Sequence, residues 1–264
     1  MSDGCVISLP SLSQQVSSDM YASQVMLFSK APGNPGAKTR LRERGDLAVD
    51  VVQALHAAMV NDSVELLRCS AAPDKYVFWM GSQDLPEQGD LHYRFQSGDS
   101  FGERLQGALL RLQEESSEPQ GVVVIGSDCP YLSPGLMSLA LSGISAGKLV
   151  VGPALEGGYY LFGVPARAVG RDVSGTFGSG AEVLELLRCF ADCELELLPL
   201  LPDVDVMSDL GTLVAAAHLL EAVDDRGDKL YIGPRVRELA VAMQLEGSAE
   251  STRGKRVTAG GLAI

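Results

Sequence analysis

Apolar positions along the chain follow two periods. The runs Val25–Ser29, Tyr76–Met80, Gly121–Ile125 and Lys148–Pro153 are short, rich in β-branched or aromatic residues, and lack a regularly alternating polar face. That is the pattern of strands covered on both sides. From Asp46 to Cys69, Leu47, Val51, Ala54, Leu55, Ala58, Met59 and Leu66 recur at helical spacing. Further helices are predicted from Asp99 or Ser100 to Glu115, Ser133 to Ser145, Gly178 to Arg188, Ser208 or Asp209 to Ala222, and Arg235 to Leu245. Tyr93–Phe95 and Leu195–Leu201 read as further strands. Strands alternating with helices over the first 150 residues predict an α/β fold, a mostly parallel central sheet flanked by helices.

Residues 1–22 are polar and serine-rich and are expected to be a flexible leader; 23–222 form one domain, 223–246 a helical extension, and 247–264 a small, polar, basic and disordered tail. No run approaches the roughly 20 apolar residues of a membrane helix. The start of the chain has Asp3 and Asp19 and no basic stretch, unlike a secretory signal.

Candidate chemistry gathers where the strand-like runs end. Gly121–Ile125 closes on Gly126-Ser127-Asp128-Cys129-Pro130, placing Asp128 at the sheet's carboxyl edge, where α/β proteins collect ligands. Asp128 could equally cap the next helix. The first strand runs into Lys30-Ala31-Pro32-Gly33-Asn34-Pro35-Gly36-Ala37-Lys38-Thr39-Arg40-Leu41. Its glycines and prolines forbid regular structure, and Lys30, Lys38 and Arg40 gather cations in a chain of formal charge −13. Such a loop can cradle a polyphosphate or lie as a solvated basic turn. Gly36-Ala37-Lys38-Thr39 imitates the end of a Walker loop without its spacing.

Glu156-Gly157-Gly158-Tyr159-Tyr160 allows a ligand to approach the backbone, although a plain hairpin with core tyrosines explains it more simply. Asp203 and Asp205, if extended, point the same way and could hold a hard cation. With Asp209 they could also serve as an acidic helix cap.

The acidic charge excludes a nucleic-acid partner, which needs a basic surface. The 5 cysteines, without CxxC spacing, suit neither a zinc site nor a disulfide framework and fit a reducing cytoplasm.

Five strings in order resemble the DUF2064 family, uncharacterised bacterial proteins of glycosyltransferase type in the nucleotide-diphospho-sugar transferase (GT-A) superfamily. They are the loop Lys30–Leu41, Gly98-Asp99-Ser100-Phe101-Gly102-Glu103-Arg104, Gly126–Pro130, Gly152–Leu161 and Asp203–Leu210. Glu156 stands where the family usually has aspartate, which keeps the charge but moves it by about 1.5 Å. The resemblance implies a Rossmann-like GT-A fold. Lys30, Lys38, Thr39, Arg40, Gly98, Asp99 and Arg104 would bind nucleotide and phosphates. Asp128 and Asp205 would bind Mg²⁺ or Mn²⁺, and Glu156, Gly157, Gly158, Tyr159 and Tyr160 would face sugar or acceptor. Asp128, Glu156 and Lys38 would be catalytic. His56, His92 and His218 lie outside these strings and read as structural or surface groups.

The implied activity is a metal-dependent transferase using a nucleotide-diphosphate sugar and a small-molecule acceptor. A nucleotidyltransferase using a nucleoside triphosphate and releasing pyrophosphate is the alternative. It gains from the single carboxylate at Asp128, where sugar transferases often carry a DxD. A non-catalytic nucleotide-binding regulatory module is a third reading.

Overall fold

The computed structural model describes residues 23–44, 47–81, 84–86, 89–155, 157–178, 180–223, 230–247 and 255–258. The expected leader, the residue Glu156 and most of the expected tail lie outside them. The chain order is β1 (Ser23–Lys30), α1 (Thr39–Arg44), α2 (Val49–Cys69), β2 (Asp74–Met80), β3 (His92–Phe95), α3 (Phe101–Glu115), β4 (Gly121–Ile125), α4 (Pro134–Ser145), β5 (Leu149–Pro153), β6 (Tyr159–Val164), α5 (Glu182–Cys189), β7 (Leu195–Leu197), α6 (Met207–Val223), α7 (Pro234–Ala242), β8 (Gln244–Gly247) and β9 (Lys255–Thr258).

The uninterrupted apolar runs become the middle layer. Along β1, Val25 and Leu27 point into one core while Met26 and Phe28 point into the other. In β4, Val123 and Ile125 are divided in the same way from Val122 and Val124. Successive strand side chains face opposite sides, so the middle of a strand covered on both sides is apolar, and the polar residues of β1 sit at its ends. The first core is closed by α2, α4, α6 and α7, the second by α3 and α5.

The sheet has 7 strands in the order β3-β2-β1-β4-β6-β5-β7. All neighbours are parallel except β6, which runs antiparallel to both β4 and β5. The β5–β6 hairpin is the simpler of the two readings of the Glu156–Tyr160 string. Tyr160 is buried and donates its hydroxyl to the Pro199 carbonyl at 2.9 Å, as a core tyrosine with a polar tip should. The chain leaves β1 toward β2 on one side and returns through β4 on the other. The crevice between their carboxyl ends is therefore the switch point of the sheet.

Helix starts follow capping chemistry. Ser100 and Glu103 form a reciprocal capping box on α3, and Ser133 with Pro134 opens α4. The loop after β1 departs from expectation at its end, because α1 begins at Thr39 while the expected irregular stretch extends to Leu41. The glycines and prolines stop at Gly36, and fully buried Leu41 anchors the short helix. The tail differs too, since Lys255–Thr258 pairs antiparallel with Gln244–Gly247 and satisfies backbone groups that composition alone would leave to water. Among the described residues no helix is long and apolar enough to cross a membrane.

The C-terminal helix is bolted to α2 by one buried carboxylate. Asp62 accepts from the backbone N–H groups of Arg235 (3.2 Å) and Val236 (3.0 Å) and from the Arg235 guanidinium (3.1 Å). It thereby satisfies the first-turn donors of α7. Replacing Asp62 by alanine strands those donors in a buried contact. Urea unfolding of Asp62→Ala should show a loss of roughly 2–3 kcal/mol.

Candidate active site

The switch-point crevice is a cavity of about 440 Å³. Its floor is the ends of β1 and β4, joined by a 2.7 Å hydrogen bond between the Ser29 and Ser127 hydroxyls. One wall is the loop from Lys30 to Lys38, folded on itself rather than loose. Asn34 accepts from Gly36 N–H and donates to the Met80 carbonyl, and the Lys30 ammonium donates to the Gly36 carbonyl.

Lys38 ends this loop with a φ of 50°, a left-handed backbone rarely adopted by residues other than glycine. Its carbonyl accepts the first bonds of α1, from Leu41 and Arg42. Strain of this kind persists where surrounding contacts over-determine it. Here the contacts are two carboxylates: the ammonium lies 2.6 Å from Asp128 Oδ1 and 2.9 Å from Asp205 Oδ1. The lysine side chain is only 2% exposed. Burial alone would lower the Lys38 pKa, but the charges and hydrogen bonds of Asp128 and Asp205 raise it above the ordinary value. Burial likewise pushes Asp128 up, and Lys38 more than reverses this, holding the carboxyl below its ordinary range.

Asp205 is set by its own backbone. The Asp205 and Val206 N–H groups both donate to Asp209 Oδ2 at 2.9 Å, and Val204 N–H bonds the Asp128 carbonyl at 2.9 Å. Asp209 is thus the helix cap, while Asp203 and Asp205 both line the cavity. Arg40 stands 3.9 Å from Asp205 and is largely exposed.

The structure brings Lys30, Lys38, Thr39, Arg40, Arg104, Asp128, Gly158, Tyr159, Tyr160 and Asp205 to one cavity. Gly98, Asp99 and Gly157 are not among its lining residues. Gly98 has a φ of 137°, and a side chain there would meet Arg104 N at 2.9 Å, so it serves the start of α3. Asp99 N–H donates to Glu103 in the same cap. Glu156 lies outside the described residues. Cys129 also lines the cavity, but burial pushes its thiol up to about 12, so at neutral pH it is protonated and no nucleophile.

Of the two readings of His56, structural or surface, burial agrees with the first, and the residue also lines the cavity. Val52, His56 and Val60 form one buried stripe of α2. The available sequence signal was a titratable residue on an apolar helical face. Its buried Nδ1 meets no hydrogen-bond partner among the described residues. Burial, reinforced by Lys38 and Lys30 against the pull of Asp128, lowers its pKa to about 4.

Two carboxylates converge on one positive charge, and hard oxygen ligands suit Mg²⁺ or Mn²⁺. No group of three or more His, Cys, Asp or Glu among the described residues could hold an ion by itself. The residues therefore fit an ion that shares its coordination with a bound phosphate, and they hold an ammonium at that place.

Residues 55–176 match the family described as "Uncharacterized protein conserved in bacteria (DUF2064)". A proposed nucleotide-diphospho-sugar transferase of Desulfovibrio desulfuricans G20 aligns at 26% identity and a TM-score of 0.67, over 83% of this chain and 97% of its own. Rv0371C of Mycobacterium tuberculosis H37Rv, in complex with manganese, aligns at 15% identity and a TM-score of 0.45, over 76% and 99%. A 4-diphosphocytidyl-2C-methyl-D-erythritol synthase of Anaerococcus prevotii DSM 20548 aligns at 10% and 0.45, over 76% and 97%. The latter two likenesses are remote. No match is found among curated proteins.

Two outcomes follow from this electrostatics. Folded His56 stays neutral down to about pH 4, whereas in the unfolded chain it takes up its proton near 6.5. Stability therefore falls as pH drops through that window, by up to about 1.4 kcal/mol per pH unit. Urea unfolding at pH 7 and pH 5 should show this loss in the wild type and a smaller one in His56→Gln. In Lys38→Met the two carboxylates face each other without an ammonium. Millimolar Mn²⁺ without nucleotide should then raise the melting temperature of the variant by ~3–5 °C and leave the wild type nearly unmoved. Equal responses would show that the lysine does not occupy the cation position. Residues 55–176 are thus similar to the DUF2064 family, and the fold is similar to that of the Desulfovibrio protein.

Proposed function

We propose that the protein is a divalent-metal-dependent transferase that uses a nucleotide-diphosphate sugar as donor. The observation that carries this reading is the Asp128–Lys38–Asp205 constellation at the sheet's switch point. It sets two oxygen ligands and a cationic loop where a diphosphate would enter. Lys30 and Arg40 are the further cations on that wall. Transfer to a hydroxyl acceptor joins the acceptor oxygen to the anomeric carbon. The bond from that carbon to the diphosphate oxygen breaks, its electron pair leaves on the nucleoside diphosphate, and the hydroxyl proton passes to water. The difficult part is charge on the departing diphosphate, and preset cations act on it without reorganising. Asp128 and Asp205 would hold Mg²⁺ or Mn²⁺, which when bound supplies Lewis-acid neutralisation of the leaving group. Lys38 would lend its charge to a phosphate of the donor.

A nucleotidyltransferase is the second reading. It is favoured by the β4 end, where Asp128 is the one carboxylate and Ser127 is engaged with Ser29. Its products would differ, because a nucleoside monophosphate passes to a phosphorylated acceptor and pyrophosphate leaves.

A thermal-shift screen of nucleoside diphosphates and triphosphates with and without Mn²⁺ tests the reading. At least one nucleotide should stabilise the protein more strongly with the ion than without it. In Asp128→Asn the ion's contribution should disappear, a loss of about tenfold or more in affinity, while the circular dichroism spectrum stays that of the wild type. An unchanged metal response in Asp128→Asn would refute the site. Pyrophosphate release from a triphosphate and a phosphorylated acceptor pool would favour the second reading.

A further inference from the structure

A second chamber opens off the cation-lined cavity. It measures about 280 Å³, and its walls include Phe28, Phe101, Leu105, Val124, Phe162 and Phe177. The two spaces meet across Phe28, Phe101, Gly126, Gly158, Tyr159 and Tyr160, which line both. Edge-to-face ring contacts hold the walls. Phe101 lies 5.4 Å from Phe28 and 4.6 Å from Phe177, and Tyr159 lies 5.1 Å from Phe162. The chamber owes its boundary to Gly102, where a side chain would meet the Ser174 carbonyl at 1.9 Å, so α3 sits directly against the 3₁₀ turn Ser174–Thr176 that leads to Phe177.

Among the described residues its one charged wall residue is Glu182, whose Oε1 accepts the N–H groups of Gly178 at 3.1 Å and Gly180 at 3.2 Å. Apart from the second oxygen of Glu182, what the described walls present to a ligand is mainly apolar and aromatic. The opposite end of the cavity, toward β2 and β3, differs. Gln96 stands there and spends both amide hydrogens on the Ser29 and Phe78 carbonyls, so it can offer a ligand its acceptor oxygen. A nucleobase carries a polar edge that needs such partners. A hexose in the second chamber would set most of its hydroxyls against rings and aliphatic carbons, with one carboxylate oxygen to bond them, which is unfavourable.

We infer that the second chamber receives an aromatic or short branched apolar group of the acceptor, so that the acceptor is an apolar alcohol rather than a second sugar. The inference rests on the transferase reading above for the word acceptor. The volume sits at the low end for small-molecule pockets, roughly 300–1,000 Å³. It accommodates one ring system and excludes a long lipid tail.

Ligand-observed NMR on the full chain tests this with 2-naphthol as the apolar probe and methyl α-D-glucoside as the polar one. Both are measured alone and with a panel of nucleoside diphosphates plus Mn²⁺. The expected result is that 2-naphthol binds, the glucoside does not at the same concentration, and a bound nucleotide fails to displace the naphthol. Phe177→Ala, at a half-buried wall position, should weaken 2-naphthol by about fivefold or more. Binding of the glucoside in its place, or of neither probe, overturns the inference. Displacement of 2-naphthol by a nucleotide overturns it in favour of a nucleobase chamber. Should no nucleotide bind, the transferase reading fails separately, and the two probes still decide whether the chamber takes an apolar group.

Discussion

The site depends on one buried ammonium held between two carboxylates. Lys38 comes from the loop after β1, Asp128 from the end of β4 and Asp205 from the entry to α6, and each arrives only because the others do. A lysine withdrawn from water is unfavourable by itself, and so is a left-handed backbone at a residue with a side chain. The two aspartates offset both, at a place in an acidic chain where Lys30, Lys38 and Arg40 gather. The same contacts leave Lys38 protonated and both neighbouring carboxylates preset for a positive charge.

This arrangement gives the cavity a direction. Toward β2 and β3 its lining can form hydrogen bonds, in the middle it is ionic, and toward β6 and the Ser174–Thr176 turn it is aromatic. The antiparallel β6 matters here. A crossover helix between β5 and β6 would have covered the edge that the hairpin leaves open, and Gly158, Tyr159 and Tyr160 stand on that edge. His56 extends the first core into the polar region, where a neutral imidazole can lie beside lysines that would repel an imidazolium.

Much of the frame was legible in advance. Runs such as Val122–Ile125 can only be strands inside a two-sided core, because no face is left for water. Helix starts at Ser133 and near Ser100 followed from capping chemistry, and the Lys30–Leu41 loop followed from its glycines, prolines and cations. Less was legible where one residue had two physically sound uses. Gly98 and Asp99 belong to a family string and also build the α3 cap, and Asp209 shares an acidic cluster with Asp205 and caps α6. What His56 faces does not follow from the sequence, because a helical period marks a buried stripe without saying what the stripe faces.

Local sequence thus determined most of the elements, their succession along the chain, and which segments carry charge outside the strands. Those are properties of short windows, set by side-chain period and backbone freedom. Which carboxylate meets the lysine, that His56 faces the ions, and that an aromatic chamber adjoins them were decided only by tertiary structure. They depend on distances between residues far apart in the chain, and the same aspartate is a cap or a counter-ion according to what the rest of the fold places beside it.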